Sequence, residues 1–170
     1  MVAKLTGHQA SQVSLEICTQ IRVIPVLSVT EIEDASPLAE ALIEGGLNVF
    51  EVTLRTPKAF GVIKEMSKVK GSIVGVGTLR CRQDVEMAIE VGAKFGVSPG
   101  VTDDLVLACE EFGLPLIGGV SSVSEIMKML SRGYTFLKFF PAEVSGGVTA
   151  LNAISGPLPD ALFFPTGGVS

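Results

Sequence analysis

The run Asn48-Val49-Phe50-Glu51-Val52-Thr53-Leu54-Arg55-Thr56-Pro57 decides the fold. Residues 48–54 are rich in apolar and β-branched types and read as a strand. The pair behind them reads as a helix start, with Thr56 as N-cap and Pro57 at the first helical position. Side chains alternate along a strand, so Val52 and Leu54 turn one way and Glu51, Thr53 and Arg55 the other. A strand that is apolar on its helix side and polar on the other, near its C-terminal end, fits a barrel whose interior opens into a site. The competing reading of the same residues is a Glu51–Arg55 ion pair solvated at a rim.

The same unit recurs on both sides of this run. Strand-like segments fall at Val23–Val29, Asn48–Leu54, Ser72–Thr78, Phe95–Ser98, Pro115–Val120, Phe136–Phe140 and Ala161–Pro165, with amphipathic helical segments between them. A lead-in helix over residues 1–20 precedes them, with Val13, Ile17 and Ile21 at helical spacing. Thr30-x-x-Glu33 and Ser122-x-x-Glu125 fit capping boxes. Gly45, Gly71, Gly92, Gly113, Gly133 and Gly156 stand where helices should end, while Pro37 blurs the first helix boundary. Strand and helix alternating every 20 to 25 residues or so predict a parallel sheet covered by helices.

No G-x-G-x-x-G follows the first strand, and Gly75-x-Gly77 lacks a third glycine. Those two glycines read instead as a close-packing site, and a dinucleotide-binding sheet is disfavoured. The expectation is an α/β TIM (β/α)8-type barrel forming a single domain over residues 1–170. It shows about seven strands and lacks its last βα units, which would leave the first and seventh strands with open edges.

Composition narrows the function classes. The chain of 170 residues is 47 % hydrophobic and 18 % charged, which predicts a well-packed globule. Its net charge of −5 argues against nucleic acid as a partner. No apolar run approaches the roughly 18 residues of a membrane span, and no N-terminal signal pattern precedes the domain, so the expectation is a cytoplasmic protein without a membrane partner. Cys18, Cys81 and Cys109 are widely spaced without C-x-x-C, and His8 is the sole histidine, so no metal centre or disulfide framework is expected.

Phe136-Leu137-Lys138-Phe139-Phe140-Pro141-Ala142-Glu143 places a lysine inside an apolar strand. Desolvation by Phe136, Phe139 and Phe140 would lower the Lys138 pKa and leave free amine at neutral pH, as Schiff-base chemistry on a ketone requires. The plainer reading buries the lysine stem and leaves its ammonium in water. Other strand ends carry polar or glycine-rich closures: Thr78, Ser98-Pro99-Gly100, Gly118-Gly119-Val120-Ser121 and Thr166-Gly167-Gly168. Singly each is a turn. Together, at one end of one barrel, they mark a site, with the loop after the seventh strand able to cradle phosphate.

Taken in order, Glu51-Val52-Thr53-Leu54-Arg55-Thr56, Val74-Gly75-Val76-Gly77-Thr78, Val97-Ser98-Pro99-Gly100, Leu137-Lys138-Phe139-Phe140-Pro141-Ala142-Glu143 and Pro165-Thr166-Gly167-Gly168 resemble the 2-keto-3-deoxy-6-phosphogluconate (KDPG) aldolase family. Its members also act as 4-hydroxy-2-oxoglutarate (KHG) aldolases. The resemblance implies a class I aldolase that needs no cofactor or metal and gives pyruvate and glyceraldehyde 3-phosphate. By matching position, Lys138 would form the Schiff base and Glu51 would be the general acid/base. Arg55 and Thr78 would bind the pyruvate-derived carboxylate, Pro99 and Phe140 would line the pocket, Gly167 and Gly168 would hold phosphate, and Arg22 would lie near the site. It also implies a homotrimer acting on a small keto acid. Gly118-Gly119 and Ser121-Ser122 stand where the family usually has Pro-Gly and Ser-Thr. The family's further Gly-Gly-Ser stretch is absent, so a truncated barrel with weak or no activity is the alternative expectation.

Overall fold

Val49–Thr53 are buried without exception and form β2, the second of a set of parallel strands. The computed structural model describes residues 4–168. The other strands are β1 (Val26–Leu27), β3 (Ile73–Gly77), β4 (Phe95–Val97), β5 (Leu116–Ile117), β6 (Gly119–Val120), β7 (Phe136–Phe139) and β8 (Leu162–Pro165). Every strand pairing is parallel, running β1-β2-β3-β4-β5 and then β6-β7-β8. Each predicted strand segment is present, though shorter than its sequence pattern. The fifth is broken at Gly118 into β5 and β6, and the Lys138 N–H still donates to the Gly118 carbonyl at 2.9 Å, so the sheet continues through the break. Among the described residues β1 and β8 each pair along one edge only.

Helices α1 (Gly7–Cys18), α2 (Ala35–Glu44), α3 (Ala59–Met66), α4 (Arg82–Glu90), α5 (Asp103–Phe112), α6 (Val123–Ser131) and α7 (Gly147–Ser155) connect or precede the strands. Alternation splits the apolar residues into two cores. Phe50, Val52, Leu137 and Phe139 face outward into the larger core shared with the helices. Val49, Phe95, Val97, Ile117 and Phe136 face inward and fill the lower half of the barrel with Ile24. Glu51 and Lys138 share parity with Val49 and Phe136, which puts both in the interior, above that apolar floor.

Several helix ends differ from their sequence pattern for local reasons. The Ser122–Glu125 capping box forms as expected. Thr30 caps nothing, because a short 3₁₀ turn, Ile32–Asp34, intervenes and leads into α2. Pro37 then occupies the third helical position, in the first turn, where a backbone N–H has no intrahelical acceptor. Thr56 is not an N-cap: its hydroxyl donates to the Val29 carbonyl at 2.8 Å, and α3 begins only at Ala59. Gly71 closes a turn well after α3 has ended at Met66.

The lead-in helix is shorter than residues 1–20, of which 1–3 lie outside the described residues. Its N-terminus is closed by a capping box of Thr6 with Gln9. The buried face is made of small residues, Gly7, Ala10, Ser11 and Ser14, rather than of an apolar stripe. Gly7 lies so close to the Arg132 carbonyl and the Tyr134 ring that a Cβ would collide with both. Ile17 and Ile21 pack under the barrel floor as their spacing predicts, whereas Val13 remains half-buried outside that cluster.

Ser11 fastens this helix to the sheet, its Oγ accepting from the backbone N–H groups of Thr135 (2.9 Å) and Phe136 (3.3 Å) at the start of β7. Ser11→Ala removes the side-chain acceptor shared by the Thr135 and Phe136 N–H groups. The expected loss is about 1–3 kcal/mol of unfolding free energy, read from urea denaturation midpoints. An unchanged midpoint would show that α1 is held by packing alone.

Candidate active site

Glu51 sits at the centre of β2 with 1 % of its surface exposed, and Lys138 on β7 enters the same space with 6 % exposed. Neighbouring strands make room for them. A Cβ at Gly77 on β3 would collide with the Glu51 carboxylate, and one at Gly75 with the Phe95 ring. The Gly75-x-Gly77 pattern is therefore the close-packing site that its sequence predicts, with the upper glycine forming a notch for a carboxylate. On the other side Gly119 pairs with Lys138 and leans on the carbonyls of Ser98 and Pro99.

Lys138 Nζ stands 3.8 Å from Glu51 Oε1, close enough for strong mutual attraction and too far for a hydrogen bond. The ion pair in the interior is thus Glu51–Lys138, not the Glu51–Arg55 pair considered from sequence. Oε2 of Glu51 is buried with no hydrogen-bond partner among the described residues. Burial pushes the Glu51 carboxyl above its ordinary range, opposed by the positive charges of Lys138 and Arg55. Burial likewise pulls the Lys138 amine down, opposed by Glu51 and assisted by Arg55. Cys18 at the end of α1 belongs to the same electrostatic neighbourhood. Its burial and then the Glu51 charge push its thiol up to about 12, keeping it neutral.

Such a pair can supply an uncharged nucleophilic amine and a carboxyl group able to exchange protons.

Of the remaining expected residues, Phe140 and Arg55 reach this pair and the others lie further out. Phe140 is half-buried and its ring lies under Lys138 Nζ, 5.1 Å from nitrogen to centroid. Arg55 is exposed, yet its charge reaches both Glu51 and Lys138. Thr78 follows the Gly77 notch and is half-buried with φ +67°, a left-handed conformation that a β-branched residue rarely adopts. Strain of this kind collects at functional sites. Pro99 is exposed, and its carbonyl occupies the space that a Cβ on Gly119 would need. Gly167 packs beside Phe140 and Pro141, and Gly168 beside Glu143, both with positive φ.

Arg22 is exposed and shares an open cleft of about 500 Å³ with Val26, Phe164, Thr166, Gly167 and Gly168, between β1 and β8. The amide N–H groups of Gly167 and Gly168 donate to no carbonyl among the described residues. Two features went unassigned in the sequence. Thr53 is recognisable there as inward-facing, but its hydrogen bond to the Leu27 carbonyl depends on β1–β2 register. Ser28, bonded to Thr53, carries no pattern signal of its own.

The family model for KDPG and KHG aldolase matches residues 15–170. The chain is 48 % identical over 158 residues to the 2-dehydro-3-deoxy-phosphogluconate aldolase of Pseudoalteromonas atlantica, covering 92 % of this chain and 74 % of that one. It is 47 % identical over 155 residues to the KHG/KDPG aldolase of Escherichia coli K12, covering 91 % and 73 %. Its fold superposes with a TM-score of 0.87, at 44 % identity, on the KDPG aldolase of Legionella pneumophila, a structure with pyruvate captured at low pH as a covalent carbinolamine. That likeness covers 90 % of this chain and 75 % of the other. The TIM-type architecture is thereby shown, and the chain spans about three quarters of the length of these relatives.

Because the Glu51 charge holds the Lys138 pKa up against burial, its removal has a defined sign. In Glu51→Gln the Lys138 pKa falls further, and the pH midpoint of its acylation, followed by peptide mass mapping, moves down. A midpoint that stays or moves up would contradict the coupling.

Proposed function

We propose that this chain, which belongs to the KDPG and KHG aldolase family, is a class I aldolase that cleaves 2-keto-3-deoxy-6-phosphogluconate to pyruvate and glyceraldehyde 3-phosphate through an imine on Lys138. The observation that carries the reading is the buried Lys138 amine 3.8 Å from a buried carboxyl whose second oxygen has no partner. Its relatives are named as aldolases, which are lyases.

In this reading the free amine attacks the C2 ketone, and the carbinolamine loses water to give an iminium. Glu51 takes the C4 hydroxyl proton, the C3–C4 bond breaks, and its electron pair flows into the iminium to give an enamine. Glyceraldehyde 3-phosphate departs as the aldehyde. The enamine is reprotonated at C3, and water releases pyruvate and restores the amine. The raised carboxyl pKa suits a group that must both accept and return a proton.

Arg55 presents a planar fork to the C1 carboxylate with Thr78 beside it. Phe140 and Pro99 bound the pocket. The free N–H groups of Gly167 and Gly168, with Arg22 in the same cleft, suit a phosphate. Cleavage of 4-hydroxy-2-oxoglutarate to pyruvate and glyoxylate uses the same imine and needs no phosphate contact, and the E. coli relative carries both substrates in its name. A cytoplasmic homotrimer is the assembly proposed with this activity, and sedimentation would show three times the chain mass.

Borohydride reduction in the presence of pyruvate tests the reading. A stable adduct is expected on Lys138 and none on Lys138→Ala, with intact mass and peptide mapping as the readout. Glu51→Gln should lower kcat by about 10²- to 10⁴-fold, the usual contribution of a positioned acid/base. No adduct on the folded wild-type chain would favour instead an aldolase-shaped barrel with little activity.

A further inference from the structure

Ser28 lies one residue beyond β1, alongside Thr53 at the end of β2. The register that pairs Val26 with Glu51 and Leu27 with Val52 continues to bring the two hydroxyl oxygens within 2.8 Å. Thr53 is 1 % exposed and Ser28 is open to solvent. The direction of the bond between them can be assigned. Thr53 Oγ1 is 2.9 Å from the Leu27 carbonyl, which can only accept, so the single Thr53 proton goes there. The proton between the hydroxyls must then come from Ser28.

With its own proton committed, Ser28 offers the site only lone pairs. A hydroxyl that is already donating is a better acceptor, because bonds in a chain polarise one another in one direction. Strand parity places Ser28 on the same face as Val26, which lines the cleft with Phe164 and Gly167 and stands opposite Glu51. Ser28 is therefore one step nearer the mouth than Glu51, on the inward side, and selects for a hydroxyl donor.

We infer that Ser28 is a specificity-determining residue that accepts a hydrogen bond from the substrate hydroxyl next beyond the one handled by Glu51. The inference rests on the aldolase reading above. In the phosphorylated sugar acid that group is the C5 hydroxyl. In 4-hydroxy-2-oxoglutarate the same carbon is a carboxylate, which has no proton to give and meets only oxygen lone pairs. Ser28, held by Thr53 and Leu27, thus favours a polyol arm over a second carboxylate.

The test compares kcat/KM for both substrates in the wild type, Ser28→Ala and Ser28→Thr, with pyruvate trapping on the wild type alongside. Ser28→Ala should lower the ratio of sugar-acid to 4-hydroxy-2-oxoglutarate kcat/KM by about three- to tenfold, the scale of one neutral hydrogen bond. Ser28→Thr, which keeps the hydroxyl, should restore most of it. A merely structural role would move both substrates together, so an unchanged ratio in Ser28→Ala overturns the inference. Wild-type protein that traps no pyruvate overturns the aldolase reading, and this inference with it.

Discussion

Everything in this molecule is arranged around one expensive act, the removal of an amine and a carboxyl from water into the same apolar well. Either group alone would lose its charge to burial. Together, at 3.8 Å, each partly restores the charge of the other. The separation matters as much as the attraction. A tight hydrogen-bonded pair would be a finished interaction, whereas this one leaves a carboxylate oxygen unpartnered and an amine free to turn. Removal of one partner would leave the other buried and uncompensated, the costliest change available to such a pair.

The scaffold is shaped by what that pair needs. The outward faces of β2 and β7 are apolar and bind the helices, and the inward faces carry Phe136 and Val49 below and Lys138 and Glu51 above. The barrel thus has an oily floor and a charged upper half. The missing side chain of Gly77 provides the volume that the Glu51 carboxylate occupies, and Thr78 follows it in the left-handed conformation. The net charge of −5 opposes an anionic ligand at a distance, but exposed Arg22 and Arg55 supply positive charge locally. At physiological salt, charges beyond roughly 8 Å are screened, so these local arginines outweigh the global balance.

Much of this was legible in the amino-acid sequence because strands obey a period of two. The alternation through Glu51, Val52 and Thr53 separates inside from outside without any structure, and an unexplained lysine between phenylalanines marks itself. What was not legible depended on three-dimensional register or on local competition. Thr56 has the sequence of an N-cap, but a carbonyl from β1 claims its hydroxyl. Thr30 and Glu33 have capping-box spacing, but a 3₁₀ turn takes their place. The face of α1 that docks is glycine, alanine and serine, invisible to any search for apolar periodicity. Ser28 acquires its role only because β1 and β2 meet in one register.

The docking of α1 has a consequence for the order of events. Leu15, Ile17, Cys18 and Ile21 stopper the barrel from below, so the well is blind at that end and traffic must pass above the reactive pair. In a blind well the last molecule in is the first out. Under the proposed imine mechanism, an aldehyde fragment nearer the mouth would depart before the fragment tethered to Lys138, and in synthesis the tethered fragment would be seated first. On that proposal the order of binding is set by the plumbing, through a helix that lies beneath the apolar floor.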